Sequence, residues 1–198
     1  MPDMEQLIQE CLAPEGVLSR IFADYEYRPE QLRMALDIAG TLQSADGVLI
    51  AEAGTGTGKS LAYLIPAALT GKNVIVSTGT KNLQEQLIHK DIPLLNSLLA
   101  TPVTAVLVKG RQNYMCRRRF EAFLARPEFE SVREKKMFEK VRKWAMSTNT
   151  GDRAEMDFLP DSTSLWHQIC SRRDECMGGR CAQYGACFLL KLRMKAQR

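Results

Sequence analysis

Ten residues, AEAGTGTGKS at positions 51–60, constrain this 198-residue chain more than any others. The apolar run 47–51 leads into them, and the helix-compatible LAYLIPAAL follows. Strand, glycine-rich turn, Gly-Lys-Ser and helix, in that order, form the setting of a loop that binds phosphate. Gly54, Gly56 and Gly58, with Thr55 and Thr57 between them, let backbone N–H groups turn inward with no Cβ in the way. In such a loop Lys59 reaches the β- and γ-phosphates of a nucleotide such as ATP, and the Ser60 hydroxyl ligates Mg²⁺. These two residues are therefore the catalytic candidates. The helix N-terminus adds partial positive charge at the same place. The strict pattern has glycine where this chain has Ala53, and alanine fits only if its φ stays negative. The bland alternative is a chance glycine-rich turn, against which the flanking strand and helix weigh.

The surrounding pattern alternates. Apolar, β-branched runs at 47–52, 73–77 and 103–108 are expected as strands. Helical spacing is expected over 4–12, 17–24, 29–43, 60–70 and 81–90, with Pro29 at a favoured first-turn position. That alternation predicts an α/β fold with a parallel sheet. Beyond Gly110 the character changes to two charged helices, 114–126 and 131–146, then a polar, turn-rich stretch over 147–165. A cysteine-dense loop, 170–187, and a helix-like FLLKLRMKAQR follow. The expected division is a nucleotide-binding part at 1–110 and a mostly helical, cysteine-bearing insert at 111–198.

No apolar run approaches the ~20 residues that span a bilayer, and MPDMEQLIQE lacks the basic-then-apolar layout of a signal peptide. No membrane association and a cytoplasmic location are expected. The net charge of +4 hides an asymmetry. Residues 1–110 carry 8 basic and 12 acidic groups, whereas 111–143 carry 11 basic and 5 acidic. A polyanion such as nucleic acid would suit that insert. A solvated helix is the competing account for 131–143, because Glu128, Glu130, Glu134 and Glu139 interleave with the bases. Arg117, Arg118 and Arg119 have no acid before Glu121 and make the stronger anion-binding candidates.

Six cysteines in a reducing compartment read as metal ligands or buried thiols before disulfides. Cys176, Cys181 and Cys187 are spaced C-x4-C-x5-C among glycines, and Cys116 could supply a fourth thiolate. Structural zinc usually takes close C-x2-C knuckles, so one distant and three clustered cysteines fit an iron–sulfur cluster better, with zinc still open. Cys170 competes as fourth ligand. Cys11 reads as a packed thiol, and His167 beside Trp166 more as a packing residue than a ligand.

In order, YRPEQLRMA, AEAGTGTGKSLAYLIPA, VSTGTKNLQEQL, KGRQNYMC and CMGGRCAQYGAC resemble successive motifs of the XPD/DinG-like iron–sulfur helicases, most of all the bacterial YoaA branch. The resemblance runs from about Tyr27 to Arg198 and covers the amino-terminal part of such proteins. It implies a partial RecA-like ATP-binding domain carrying a 4Fe–4S insert. It further implies ATP-dependent 5′-to-3′ unwinding of single-stranded or forked DNA, in DNA repair. Gln31 would then hydrogen-bond the adenine edge, with Arg28 in support. Thr78 and Thr80 would touch the DNA backbone, and Cys116, Cys176, Cys181 and Cys187 would bind the cluster. Thr80 also has a plainer reading as a helix cap.

One departure from the family pattern is large. No Asp-Glu box on an apolar strand occurs in these 198 residues; Asp174-Glu175 lies in the cysteine loop. Neither the carboxylates that order Mg²⁺ and the attacking water nor a second motor domain is present, so negligible ATP hydrolysis is expected of this chain. Two rivals stand beside the helicase reading: a non-catalytic fragment that binds nucleotide or DNA, and a zinc-binding nucleotide enzyme of another kind.

Overall fold

A computed structural model describes residues 3–160 and 163–197; Asp161 and Ser162, inside the stretch expected as turns, lie outside it. The chain divides into two compact units, Met1–Leu107 and Val108–Arg198, each with a core of its own.

In the first unit α1 (Met4–Leu12) opens on a capping box, in which Asp3 and Gln6 satisfy each other's backbone ends. A short α2 (Val17–Ile21) follows. Helix α3 (Pro29–Gln43) starts at the proline that the sequence marked and packs on α4 (Lys59–Leu69). Ala35, Ala39 and Ala62 are almost fully buried between them, and such small side chains let two helices approach closely. Ile8, Leu12, Ile65 and Leu95 fill the rest of this core. Thr80 caps α5 (Lys81–Gln86), which runs through a π-helical turn, Leu87–Asp91, into α6 (Ile92–Leu98).

The second unit consists of α7 (Arg117–Ala125), α8 (Val132–Ser147), α9 (Ser164–Ile169) and α10 (Phe188–Ala196). Phe123 meets Phe138 edge-on at 4.9 Å between ring centres and Phe129 at 5.6 Å, tying α7 to α8. A Cβ on Gly151 would come within 2.4 Å of the Phe188 ring, and φ there is +65°, so only glycine fits beneath α10.

The expected parallel sheet is absent, and with it the α/β, RecA-like architecture. Among the described residues no strand forms, and the only β pairings are two isolated antiparallel bridges, Tyr114–Asp152 and Met115–Cys170. Residues 47–52, 73–77 and 103–108 belong to no helix and pair with nothing in a ladder. In the first, Val48 is 86% and Ile50 93% exposed; Ile75, in the second, is 95% exposed. A run of β-branched residues biases its own backbone toward extension, but a strand exists only where another segment takes up its N–H and C=O groups. A parallel sheet further needs helices over both faces. Neither condition is met around these runs, so the structure is helical.

A glycine loop at the head of α4 and a cysteine loop around α7

The loop 53–58 enters α4 through two left-handed glycines, Gly56 at φ +80° and Gly58 at φ +79°. Gly58 is the N-cap, so the free N–H groups of the first helical turn face the loop. No described residue other than glycine has a positive φ, which meets the condition for alanine at position 53. Side chains lace the loop together. Lys59 Nζ donates to the Ala53 carbonyl at 2.7 Å and also to that of Gly54. Thr57 Oγ1 donates to the Gly54 carbonyl at 2.9 Å. Gln31, 7% exposed on α3, donates from Nε2 to the Gly58 carbonyl at 2.9 Å, and Arg28 donates to the Gly56 carbonyl. The left-handed backbone calls for glycine at position 58, and a Cβ there would also push aside the Gln31 amide. Beside the loop opens a cavity of about 380 Å³, lined among others by Leu18, Phe22, Tyr25, Arg28, Gln31 and Gly58. Aromatic and aliphatic side chains share its walls with the Gln31 amide, the Arg28 guanidinium and two carboxylates, Asp24 and Glu26.

Ser60 stands on the first turn of α4, next to the Tyr63 hydroxyl. Burial pushes the Tyr63 phenol up; the Ser60 side chain opposes this and the Asp91 charge adds to it. Asp91 itself is buried in the π-helical turn and accepts from Gln86 Nε2 at 3.3 Å.

In the second unit all six cysteines bar Cys11 gather, and none of the six is in a disulfide. Cys116 is the N-cap of α7 and Cys187 that of α10, while Cys181 ends a short 3-10 turn, Gly178–Arg180. Three tethers hold the loop to α7: Arg118 Nη2 donates to the Glu175 carbonyl at 2.8 Å, Arg119 pairs with the Glu175 carboxylate, and Gln183 Nε2 donates to Glu121 Oε1 at 2.8 Å. The Gly178 amide, then the Arg111 side chain, hold the Cys176 thiol below its ordinary range. Burial pushes the Cys170 thiol up. Among the described residues, no three or more His, Cys, Asp or Glu side chains stand grouped to hold a metal ion. The donor chemistry nevertheless fits an anionic sulfur-ligated group. Arg117 Nε and Arg119 Nε, next to Cys116, are buried with no acceptor among the described residues, and such a group would supply one.

No family profile matches this chain. Individual relatives do. ATP-dependent DNA helicase YoaA of Haemophilus influenzae is 38% identical over 194 residues, 98% of this chain and 30% of that protein. YoaA of Escherichia coli K12 is 35% identical over 184 residues, 93% of this chain and 29% of its own length. The 3′-5′ exonuclease DinG of Bacillus subtilis is 36% identical over 159 residues, 78% of this chain and 17% of that protein. The chain belongs to the DinG-like family. It corresponds to the amino-terminal part of that family and spans less than a third of the length of these relatives.

The remaining sequence-derived residues of this DinG-like chain fall as follows. Thr80 Oγ1 accepts from the Leu83 amide at 3.2 Å and caps α5, and Thr78 Oγ1 donates to the Thr80 carbonyl at 3.2 Å. The three arginines at the head of α7 point into the protein. Arg117 lies 4.3 Å over the Phe188 ring, Arg118 holds Glu175, and Arg119 pairs with the Glu175 carboxylate and donates to the His167 carbonyl at 2.7 Å. Sequence reasoning passed over Asp91. Its signal was there: Leu87, Asp91, Leu95 and Leu98 form one helical stripe in which the only charge is Asp91, and all four are buried.

Proposed function

We propose that this chain is the ATP-binding and cluster-binding amino-terminal part of an ATP-dependent 5′-to-3′ DNA helicase that works in the cytoplasm in DNA repair. The observation that carries the reading is the glycine loop at the head of α4, hydrogen-bonded by Arg28 and Gln31 beside a cavity of about 380 Å³, in a chain 38% identical to YoaA of Haemophilus influenzae. The free N–H groups of α4 receive the phosphates. Lys59 Nζ exchanges the Ala53 and Gly54 carbonyls for phosphate oxygens, a stronger pairing of opposite charges. Ser60, on the first turn of α4, offers its hydroxyl to Mg²⁺. Arg28 and Gln31 face the base and brace the loop at once.

Cys116, Cys176, Cys181 and Cys187 are the residues that would hold a 4Fe–4S cluster, with zinc as the alternative. Such a group supplies a cross-link between α7 and the 176–187 loop, and the buried guanidinium N–H groups of Arg117 and Arg119 lower the cost of its negative charge. The same stretch, in whole or in part, occurs in relatives named as helicases and in others named as exonucleases. What it contributes is therefore common to both, which supports nucleotide and DNA handling rather than nuclease chemistry.

Calorimetric titration with Mg·ATP tests the nucleotide site. Lys59→Ala is expected to abolish measurable binding, and unchanged affinity in that variant overturns the assignment. Elemental analysis of protein purified without oxygen tests the metal. Iron lost on Cys116→Ser but kept on Cys170→Ser supports the cluster, whereas stoichiometric zinc without iron selects the alternative.

A further inference from the structure

The arginine cluster that looked best suited to DNA in the sequence is spent inside the protein, and the helix that looked merely solvated carries the free charge. In sequence, α8 interleaves acids and bases. In space they separate in part. Glu134 turns inward, buried, and accepts from Ser164 Oγ at 2.7 Å and from the Glu130 amide at 2.7 Å. Glu139, the one exposed carboxylate of the helix, borders the row between Lys136 and Lys143, and its ion pair is with Arg142 at 3.9 Å. Arg133, Lys136, Lys140 and Lys143 remain, spaced i, i+3, i+7, i+10 and all exposed. That spacing lines them along one face over roughly 15 Å of helix axis. Among the described residues none of Arg133, Lys136 and Lys143 pairs with a carboxylate. Beside the row sits an aromatic ring: Phe158 is 37% exposed, and the Lys140 ammonium stands 5.7 Å from its centre.

We infer that this face of α8, with Phe158, is the surface on which the second unit holds single-stranded DNA. A line of cations tracks a phosphodiester backbone, and an exposed ring beside it offers a stacking face to an unpaired base. A duplex would leave the ring without a partner, because its bases are already stacked. The inference rests on the reading that this protein handles DNA and adds to it which residues make the contact. It does not involve the nucleotide site.

Binding of a fluorescein-labelled oligothymidylate to the full 198-residue chain, followed by anisotropy from low to moderate salt, tests it with charge-matched variants. Lys136→Gln with Lys143→Gln removes two charges from the row; Lys135→Gln with Arg142→Gln removes two from the other side of the same helix. The first pair is expected to flatten the slope of log affinity against log salt by about 1.4, two contacts at ~0.7 each, and the second to leave it unchanged. Phe158→Ala is expected to weaken binding about fivefold or more with the slope kept. All these side chains are exposed, and unchanged circular dichroism certifies the folds compared. Equal flattening by both pairs would mean that net charge alone counts, and no effect of the first pair would place the contact elsewhere; either overturns the inference. A parent chain that fails to bind the oligonucleotide even at low salt overturns the DNA reading along with it.

Discussion

The Glu134 carboxylate joins two helices at their starts. It accepts from Ser164 Oγ and Thr163 Oγ1 at the head of α9, and from the Glu130 amide just before α8. Burial by itself would raise its pKa; these bonds outweigh burial and hold it below the ordinary glutamate range. A group whose pKa falls on folding stabilises the fold above its unfolded value and ceases to do so as pH drops through the folded value. Glu134→Gln is therefore expected to cost about 1–3 kcal/mol at neutral pH. The gap to the parent protein should narrow as pH falls from 6 toward 3. Urea midpoints of both proteins across that range check it, and a gap constant with pH would mean that shape, not charge, is what the site needs. None of this was legible in the sequence, where Glu134 was one acid among several in a basic run. What turns it inward is the position of α9, thirty residues away. By contrast, the glycine loop lies in residues that the sequence singled out, because a short motif fixes its own backbone, whereas Arg28 and Gln31 entered only through the family resemblance and their bonds to the loop were not foreseen.

Elements whose pattern is local were read well, and those that need a distant partner were not. Helix α3 begins and ends where Pro29 and its apolar spacing placed it, and α8 lies within a residue of its expected bounds. Hydrogen bonds inside a helix come from residues four apart, so sequence spacing carries the information. The runs at 47–52, 73–77 and 103–108 have strand composition but no ladder, since pairing is decided elsewhere in the chain. At the head of α7 charge was legible and its use was not: three consecutive arginines can serve DNA or bind a loop. Arg119→Ala leaves the Glu175 carboxylate and the His167 carbonyl without that donor, so it is expected to loosen the cysteine loop. Faster proteolytic cleavage between residues 171 and 187, with oligonucleotide affinity little changed, is the expected result. A large loss of DNA binding with cleavage unaltered would reverse that assignment. Phe138→Ala, at the centre of the aromatic cluster joining α7 and α8, is expected to destabilise the second unit by about 3–5 kcal/mol, read from its denaturant midpoint.

At the scale of the molecule, each unit closes over its own core, and the two tryptophans of the chain, Trp144 and Trp166, both belong to the second. Their rings meet at 6.3 Å, and Trp144 Nε1 donates to Glu155 Oε2 at 2.7 Å, so their emission depends on the packing of that unit. Far-ultraviolet circular dichroism, in contrast, sums helices from both. Two separate cores predict two transitions, and a single ΔG of unfolding would not describe the chain. Mg·ATP supplies the discriminating perturbation. A ligand that binds only the folded first unit stabilises that unit by mass action, by about 2.7 kcal/mol at a hundred times its dissociation constant. The dichroism-detected unfolding should then move to higher denaturant in part of its amplitude, while the tryptophan-detected midpoint stays where it was. Lys59→Ala should remove the shift. Coincident transitions by both probes, moving together on adding nucleotide, would show that the two units unfold as one and that ATP is felt throughout the chain.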